Sequence, residues 1–390
     1  MVRRQIPDFG VRRRSFWLFA LAALCLCCSR EGGVEKIREN GVEVVLNHVD
    51  PYRLEGEPST FDLEPVLTID LERKDLAAKG MGSAGEFGVD GEGNIAVVAF
   101  KNEKNFIYRF NPKGEWLNSF GPFGQGPGEL EWPFLDAVFP SGDIAITDRM
   151  RKYIVFDKNG KVLKEIRHDF NFSYVYPLEN GNLVLERPRY ERASKDSPWP
   201  TCLSLCDSSF VEIKELDRHL RSLDNNRLVP FFMWRVSAGH IYVANEERGY
   251  EIWDYDLGGN LRRKIRKEFR PVAATEEIKK AVLGPGYDQP GISQDRYFPK
   301  PMPPLSSFFT DDEGRLFVMT YEAGDRPGEY LCDIFNADGV FVGRKSLDAP
   351  WAGLYGGPKY VMAKMGRLYN NREKESGYHE LLVRRIIWKK

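Results

Sequence analysis

The side chains that most often carry chemistry are thinly scattered along this 390-residue chain. The five histidines, His48, His168, His219, His240 and His379, lie far apart, and none has metal-ligand spacing with another. Cys202, Cys206 and Cys332 form an odd, dispersed set. Residues four apart in a strand are separated by roughly 13 Å, so Cys202 and Cys206 cannot bridge within one strand, and a core role is expected for all three. Outside the first 28 residues there is no Cys-x-x-Cys pair, and no zincin motif, Walker loop or Gly-x-Ser-x-Gly elbow occurs anywhere. Gly124-Gln125-Gly126-Pro127-Gly128-Glu129 is glycine-rich but lacks the Lys-Ser that cradles phosphate, and it reads as a turn.

What remains is oxygen chemistry. Asp90, Asp136, Tyr174, Arg235 and Ser307 are polar residues in or beside strands expected to lie innermost in the fold. Carboxylates converging from several strands would hold a divalent cation such as Ca²⁺ by oxygen ligands. No matching set of Asn and Glu accompanies them, and Asp136 and Arg235 would equally form a buried pair or face solvent.

The elements that position these residues come from a repeat. A Gly, usually a polar residue, then an aliphatic opening a β run occurs six times: Gly93-Asn94-Ile95, Gly142-Asp143-Ile144, Gly181-Asn182-Leu183, Gly239-His240-Ile241, Gly314-Arg315-Leu316 and Gly366-Arg367-Leu368. A second marker follows five of them, at Phe110-Asn111, Phe156-Asp157, Cys206-Asp207, Tyr255-Asp256 and Phe335-Asn336. In four of these five a glycine closes the turn, at Gly114, Gly160, Gly259 and Gly339. The best copy, Gly121 to Asp169, packs four short strands and tight turns into one antiparallel unit. Self-similar four-stranded units are the signature of a β-propeller. The sixth unit has three strands, and the orphan strand Val66 to Leu71 supplies the fourth, closing the ring. The expectation is an all-β, six-bladed β-propeller over residues 61–390, its last blade closed by an N-terminal strand. A helix-containing insertion is expected at about 271–303, with a helix from Thr275 to Leu283 capped by Thr275.

The Gly124–Leu130 stretch, the Ser-Gly-Asp-Ile strand and the Phe-Asp-Lys-Asn-Gly turn after it resemble an NHL-type repeat, with a degenerate copy at Gly82 to Phe87. From about residue 60 to 390 the chain resembles the bacterial six-bladed β-propeller lipoproteins, including the segment Pro304 to Val318. That resemblance implies the fold and not an activity. Propellers of the gluconolactonase-like kind hold a metal in the central channel, which is the alternative reading: a metal-dependent lyase or lactone hydrolase.

Residues 1–27 read as a lipoprotein-type signal peptide. Arg3, Arg4, Arg12, Arg13 and Arg14 precede an apolar run from Ser15 to Cys28, which is too short to span a bilayer. Leu24-Cys25-Leu26-Cys27-Cys28-Ser29 resembles a lipoprotein cleavage box, with Cys28 as the lipidated residue, although Cys27 stands where Gly, Ala or Ser is usual. Residues 28–60 are expected to be a tether and loosely packed leader. Removing five arginines and Asp8 takes the formal net charge from −1 to −5. Neither value suits a nucleic-acid partner or a polybasic membrane patch, so membrane contact is expected only through the N-terminal lipid.

Long connections concentrate on one face of the disc. Antiparallel strands A to D put the A–B and C–D turns on one face, and the B–C and inter-blade connections on the other. The expected insertions, at Arg187–Pro200, Pro271–Pro303, Glu322–Gly328 and Ala349–Pro358, all fall on the second face. They carry Tyr190, Trp199, Tyr287, Tyr297 and Trp351, which with Arg235 and Asp136 are the candidate ligand- or partner-binding residues. The function expected is a non-catalytic binding module, exported and lipid-anchored in the cell envelope, that engages an envelope protein or small ligand without a cofactor.

Overall fold

The computed structural model describes residues 33–100, 104–189, 199–221, 231–283, 297–348, 361–374, 376 and 379–389. Six sheets, each built on four antiparallel strands, follow one another around a ring. Their innermost strands are Ser83–Val89, Pro133–Val138, Tyr174–Pro177, Phe232–Ser237, Ser307–Thr310 and Val361–Lys364, in blades one to six. The six-bladed expectation holds.

Both faces of every blade are covered by neighbours, so the middle strands read as continuous apolar runs rather than alternating ones. Ile95–Phe100 (IAVVAF) illustrates the rule. Ile95, Val97 and Ala99 pack in the cluster shared with blade six, whereas Ala96 and Val98 pack in the cluster shared with blade two. Six such clusters occupy the six blade junctions, so the core is a ring of dry interfaces and not one central mass. Among the described residues Cys202, Cys206 and Cys332 are free and buried, and burial pushes the Cys202 and Cys206 thiols up to about 11.

The repeated turns have a local cause. Asn111, Asp157, Asp207, Asp256 and Asn336 each use Oδ1 to accept the backbone N–H groups two and four residues on, at 2.8–3.1 Å. The residue that closes the turn takes a left-handed φ: 80° at Gly114, 89° at Gly160, 76° at Gly259 and 75° at Gly339. Blade three departs from this pattern, because Phe210 stands there with φ 66°. Its ring is buried against Tyr153 and Phe172, and that packing offsets the conformational cost.

Ring closure takes the expected form with a longer strand. Thr60–Asp70 pairs antiparallel with His379–Lys389 as the outer strand of blade six, from Thr60 opposite Lys389 to Asp70 opposite Glu380. The expected start at Val66 was late because Pro65 interrupts the β pattern. Pro65 is tolerated where the register shifts, on an outer strand whose far edge needs no donor. Phe61 anchors the join, fully buried and edge-on to Trp388 at 5.2 Å and to Phe317 at 5.9 Å.

The expected tether is corrected in part. Glu35–Glu39 and Val42–Asn47 form a hairpin through Asn40-Gly41, both at positive φ, a two-residue turn suited to hairpins. Val42–Asn47 then runs parallel to Leu261–Lys267, extending blade four to six strands. Val44 and Val45 are fully buried, and Asn47 crosses to blade five through Gly339 O (3.0 Å) and Phe341 N (2.7 Å).

The expected helix is present at Glu276–Leu283. Thr275 Oγ1 accepts Ile278 N–H, and Ile278 and Val282 are buried one turn apart. The expected insertion at Glu322–Gly328 is a continuation of strand Leu316–Ala323 closed by a short hairpin turn.

Candidate functional site

The six inner strands enclose a central cavity of about 450 Å³. Its wall is mixed. Phe139, Tyr176, Phe232, Val361 and Met362 present half-buried apolar surface, while Asp136, Glu186, Arg235, Asp312 and Lys364 supply charge. The lining reaches Pro140, Gly239 and Leu257, so the cavity extends to the face of short A–B and C–D turns.

Most of the cavity's polar groups are engaged in holding the ring together. An innermost strand has one edge without a sheet partner, and buried backbone groups need bonds from elsewhere. Each blade junction supplies one side-chain hydrogen bond, to backbone at five junctions and to another side chain between blades three and four. From blade one, Glu86 Oε2 accepts Leu135 N–H at 2.5 Å, and from blade two Asp136 Oδ1 accepts Val175 N–H at 3.3 Å. Trp234 Nε1 donates to Glu186 Oε2 at 2.7 Å, joining blades three and four. Ser237 Oγ donates to Asp311 O at 3.0 Å, and Met365 N–H donates to Asp312 Oδ2 at 2.6 Å. Lys364 Nζ closes the circuit on Val89 O at 2.7 Å, its amine pushed down by burial against the pull of Asp312 and Asp90.

These bonds give the expected site residues structural partners. Asp136 is a junction residue: besides Val175 N–H it accepts Thr147 Oγ1–H at 2.7 Å, and its charge adds to burial in raising the Tyr153 phenol. Asp90 anchors its own turn through Glu92 and Asn94 and pairs with buried Arg109 at 3.3 Å. Asp136 and Arg235 line one cavity but form no ion pair with each other. Among the described residues, no group of three or more His, Cys, Asp or Glu side chains is placed to hold a metal ion.

Arg235 differs from its neighbours. Nη1 donates to Trp234 O at 2.5 Å, the guanidinium lies 5.1 Å over Phe308, and Nε is buried without a partner. Burial draws its pKa down to about 9, against the weaker opposing pull of Tyr174 and Glu186.

The aromatic candidates are only partly described. Tyr297 is exposed in the connection between blades four and five. Strand Trp199–Cys206 begins at Trp199, whose side chain is not described. Cys28, Tyr190, Tyr287 and Trp351 lie outside the described residues. Residues not singled out from sequence carry the clearest feature of that face. Phe123 and Trp132 flank the connection between blades one and two at 60% and 63% exposure, and Trp132 O accepts Arg149 N–H beside exposed Met150. The connection itself is held by Asp148 Oδ1, which accepts Glu131 and Trp132 N–H, and by Glu165 Oε2, which accepts Gly128 N–H.

Residues 91–226 match the DUF5128 family model, described as a 6-bladed beta-propeller. This agrees with the blade count in the coordinates. No curated protein matches the chain. Solved structures that share the fold include two from Bacteroides. One is an inferred exported protein from Bacteroides fragilis, 15% identical, TM-score 0.52, covering 89% of this chain and all of that one. The other is a member of the DUF4221 family from Bacteroides vulgatus, 12% identical, TM-score 0.54, covering 86% of this chain and all of that one. At these identities the likeness concerns fold alone.

Proposed function

We propose that this propeller is a non-catalytic binding module, exported and lipid-anchored through Cys28, that engages an envelope protein through its loop-rich face. The observation that carries the reading is the placement of Phe123 and Trp132. Both are largely exposed on a connection that hydrogen bonds tie to neighbouring strands, and exposed Met150 follows Arg149, whose N–H bonds to Trp132 O. Large apolar side chains held in solvent on a tethered loop are suited to recognition. The name of the Bacteroides fragilis structure and the leader read at residues 1–27 support export. Asp136, Glu186 and Asp312 are engaged at blade junctions, and no group of three or more His, Cys, Asp or Glu among the described residues is placed to hold a metal, which favours the binding reading over the metal-dependent lyase or lactonase one.

The test compares wild type with the Phe123→Ser, Trp132→Ser double variant as crosslinking bait in intact cells. The reading expects an envelope protein crosslinked by wild type and lost with the variant at equal melting temperature. Equal crosslinking by both would overturn it. Cys28→Ser should move the protein from the membrane to the soluble fraction and abolish labelling by a radioactive fatty acid.

A further inference from the structure

Arg235 is a cation in the wall of the central cavity with no described carboxylate within 4.0 Å. Other sheltered guanidinium groups in this protein do have one. Arg109 pairs with Asp90, Arg248 with Asp217 through two nitrogens, and Arg344 with both Asp333 and Glu322. Removing a charge from water without a counter-ion is unfavourable, and proteins seldom retain such a group without a use for it. The nearby acids are not free to turn toward it. Glu186 accepts the Trp234 indole N–H, and Asp136 accepts Val175 N–H, each at a blade junction.

We infer that the central cavity binds a small organic carboxylate, its anionic group on Arg235 and its apolar body against Phe139, Tyr176, Phe232 and Met362. The guanidinium fork matches a carboxylate geometrically, and among the described residues no carboxylate occupies it. A phosphate dianion would add a second negative charge to a partly apolar space that Asp136, Glu179, Glu186 and Asp312 already flank. At about 450 Å³ the cavity lies within the size range of small-molecule sites. Half-buried aromatic rings in its wall offer the body of such a ligand dry contact.

The test uses the purified full chain and three probes, benzoate, octanoate and indole-3-acetate, with benzamide as the neutral counterpart of benzoate. At least one carboxylate should raise the wild-type melting temperature by about 2 °C or more at millimolar concentration, while benzamide does not. Arg235→Met should abolish that shift and, having lost an unpaired charge in the cavity wall, melt no lower than wild type without ligand. Should Arg235→Met not fold, Arg235→Lys keeps the charge but loses the fork, and its shift should fall by half or more. No shift with any of the three carboxylates, or a shift undiminished in the variant that folds, overturns the inference. Either result leaves the loop-face reading standing, because that reading is read out on Phe123 and Trp132.

Discussion

The Glu86 carboxylate accepts the backbone N–H of Leu135 across the junction between the first two blades, at 2.5 Å and with both residues buried. The same device, a side chain meeting a polar group of the next blade, recurs at the other five junctions. Glu86→Ala leaves a buried N–H unsatisfied and should cost about 1–3 kcal/mol, measured by urea unfolding. Glu86→Gln retains an acceptor oxygen and should lose less. Equal, near-zero losses would mean that water replaces the carboxylate without penalty.

Closure of the ring depends on Phe61. Its ring is fully buried between Phe317 of blade five and Trp388 of blade six. Phe61→Ala should destabilise the protein by about 3–5 kcal/mol. Hydrogen exchange should then quicken first along Thr60–Asp70 and His379–Lys389, the two strands that meet there.

The junction between blades four and five holds a fully buried ion pair. Lys267 Nζ lies 3.3 Å from Asp333 Oδ2, both side chains at 0% exposure, and Asp333 also accepts from Tyr250 and Arg344 at 2.7 Å each. Asp333→Ala removes the shared acceptor and strands Lys267, so a loss of about 3–5 kcal/mol is expected. Lys267→Met leaves Asp333 with two partners and should cost less. A double variant, Lys267→Met with Asp333→Asn, should recover part of the single loss; strict additivity would argue against coupling.

Acid should release the N-terminal hairpin before the rest of the ring. Hydrogen bonds from Arg266 and Lys264 hold the Glu39 carboxyl at about 2, below its ordinary 4.5. A depressed carboxyl stabilises the fold fully above its unfolded pKa, and that stabilisation disappears as pH falls from about 4.5 to 2. Glu39 is about one-third exposed, so solvent screening limits its contribution to about 1 kcal/mol. Glu39→Gln should therefore be less stable than wild type at pH 7, and the two should converge near pH 2. A difference independent of pH would place the effect in packing.

The sequence alone determined the blades, because what builds a blade is local. Asn111, Asp157, Asp207, Asp256 and Asn336 each bond to backbone within four residues of themselves, so composition and spacing report the turn directly. The missing strand of the sixth unit was legible for the same reason: a count of short-range units came up one strand short. The site was much less legible. Asp136 read as a candidate ligand because its partner, Val175 N–H, is a backbone group 39 residues away that no residue type signals. Nor could the sequence have revealed that Arg235 has no carboxylate partner among the described residues, since that depends on where the acids around the ring are held. The Asn40-Gly41 hairpin was written in the chain, but its place beside Leu261–Lys267 was not. Parallel pairing across more than 200 residues follows from which blade edge is left open, and only the closed ring decides that.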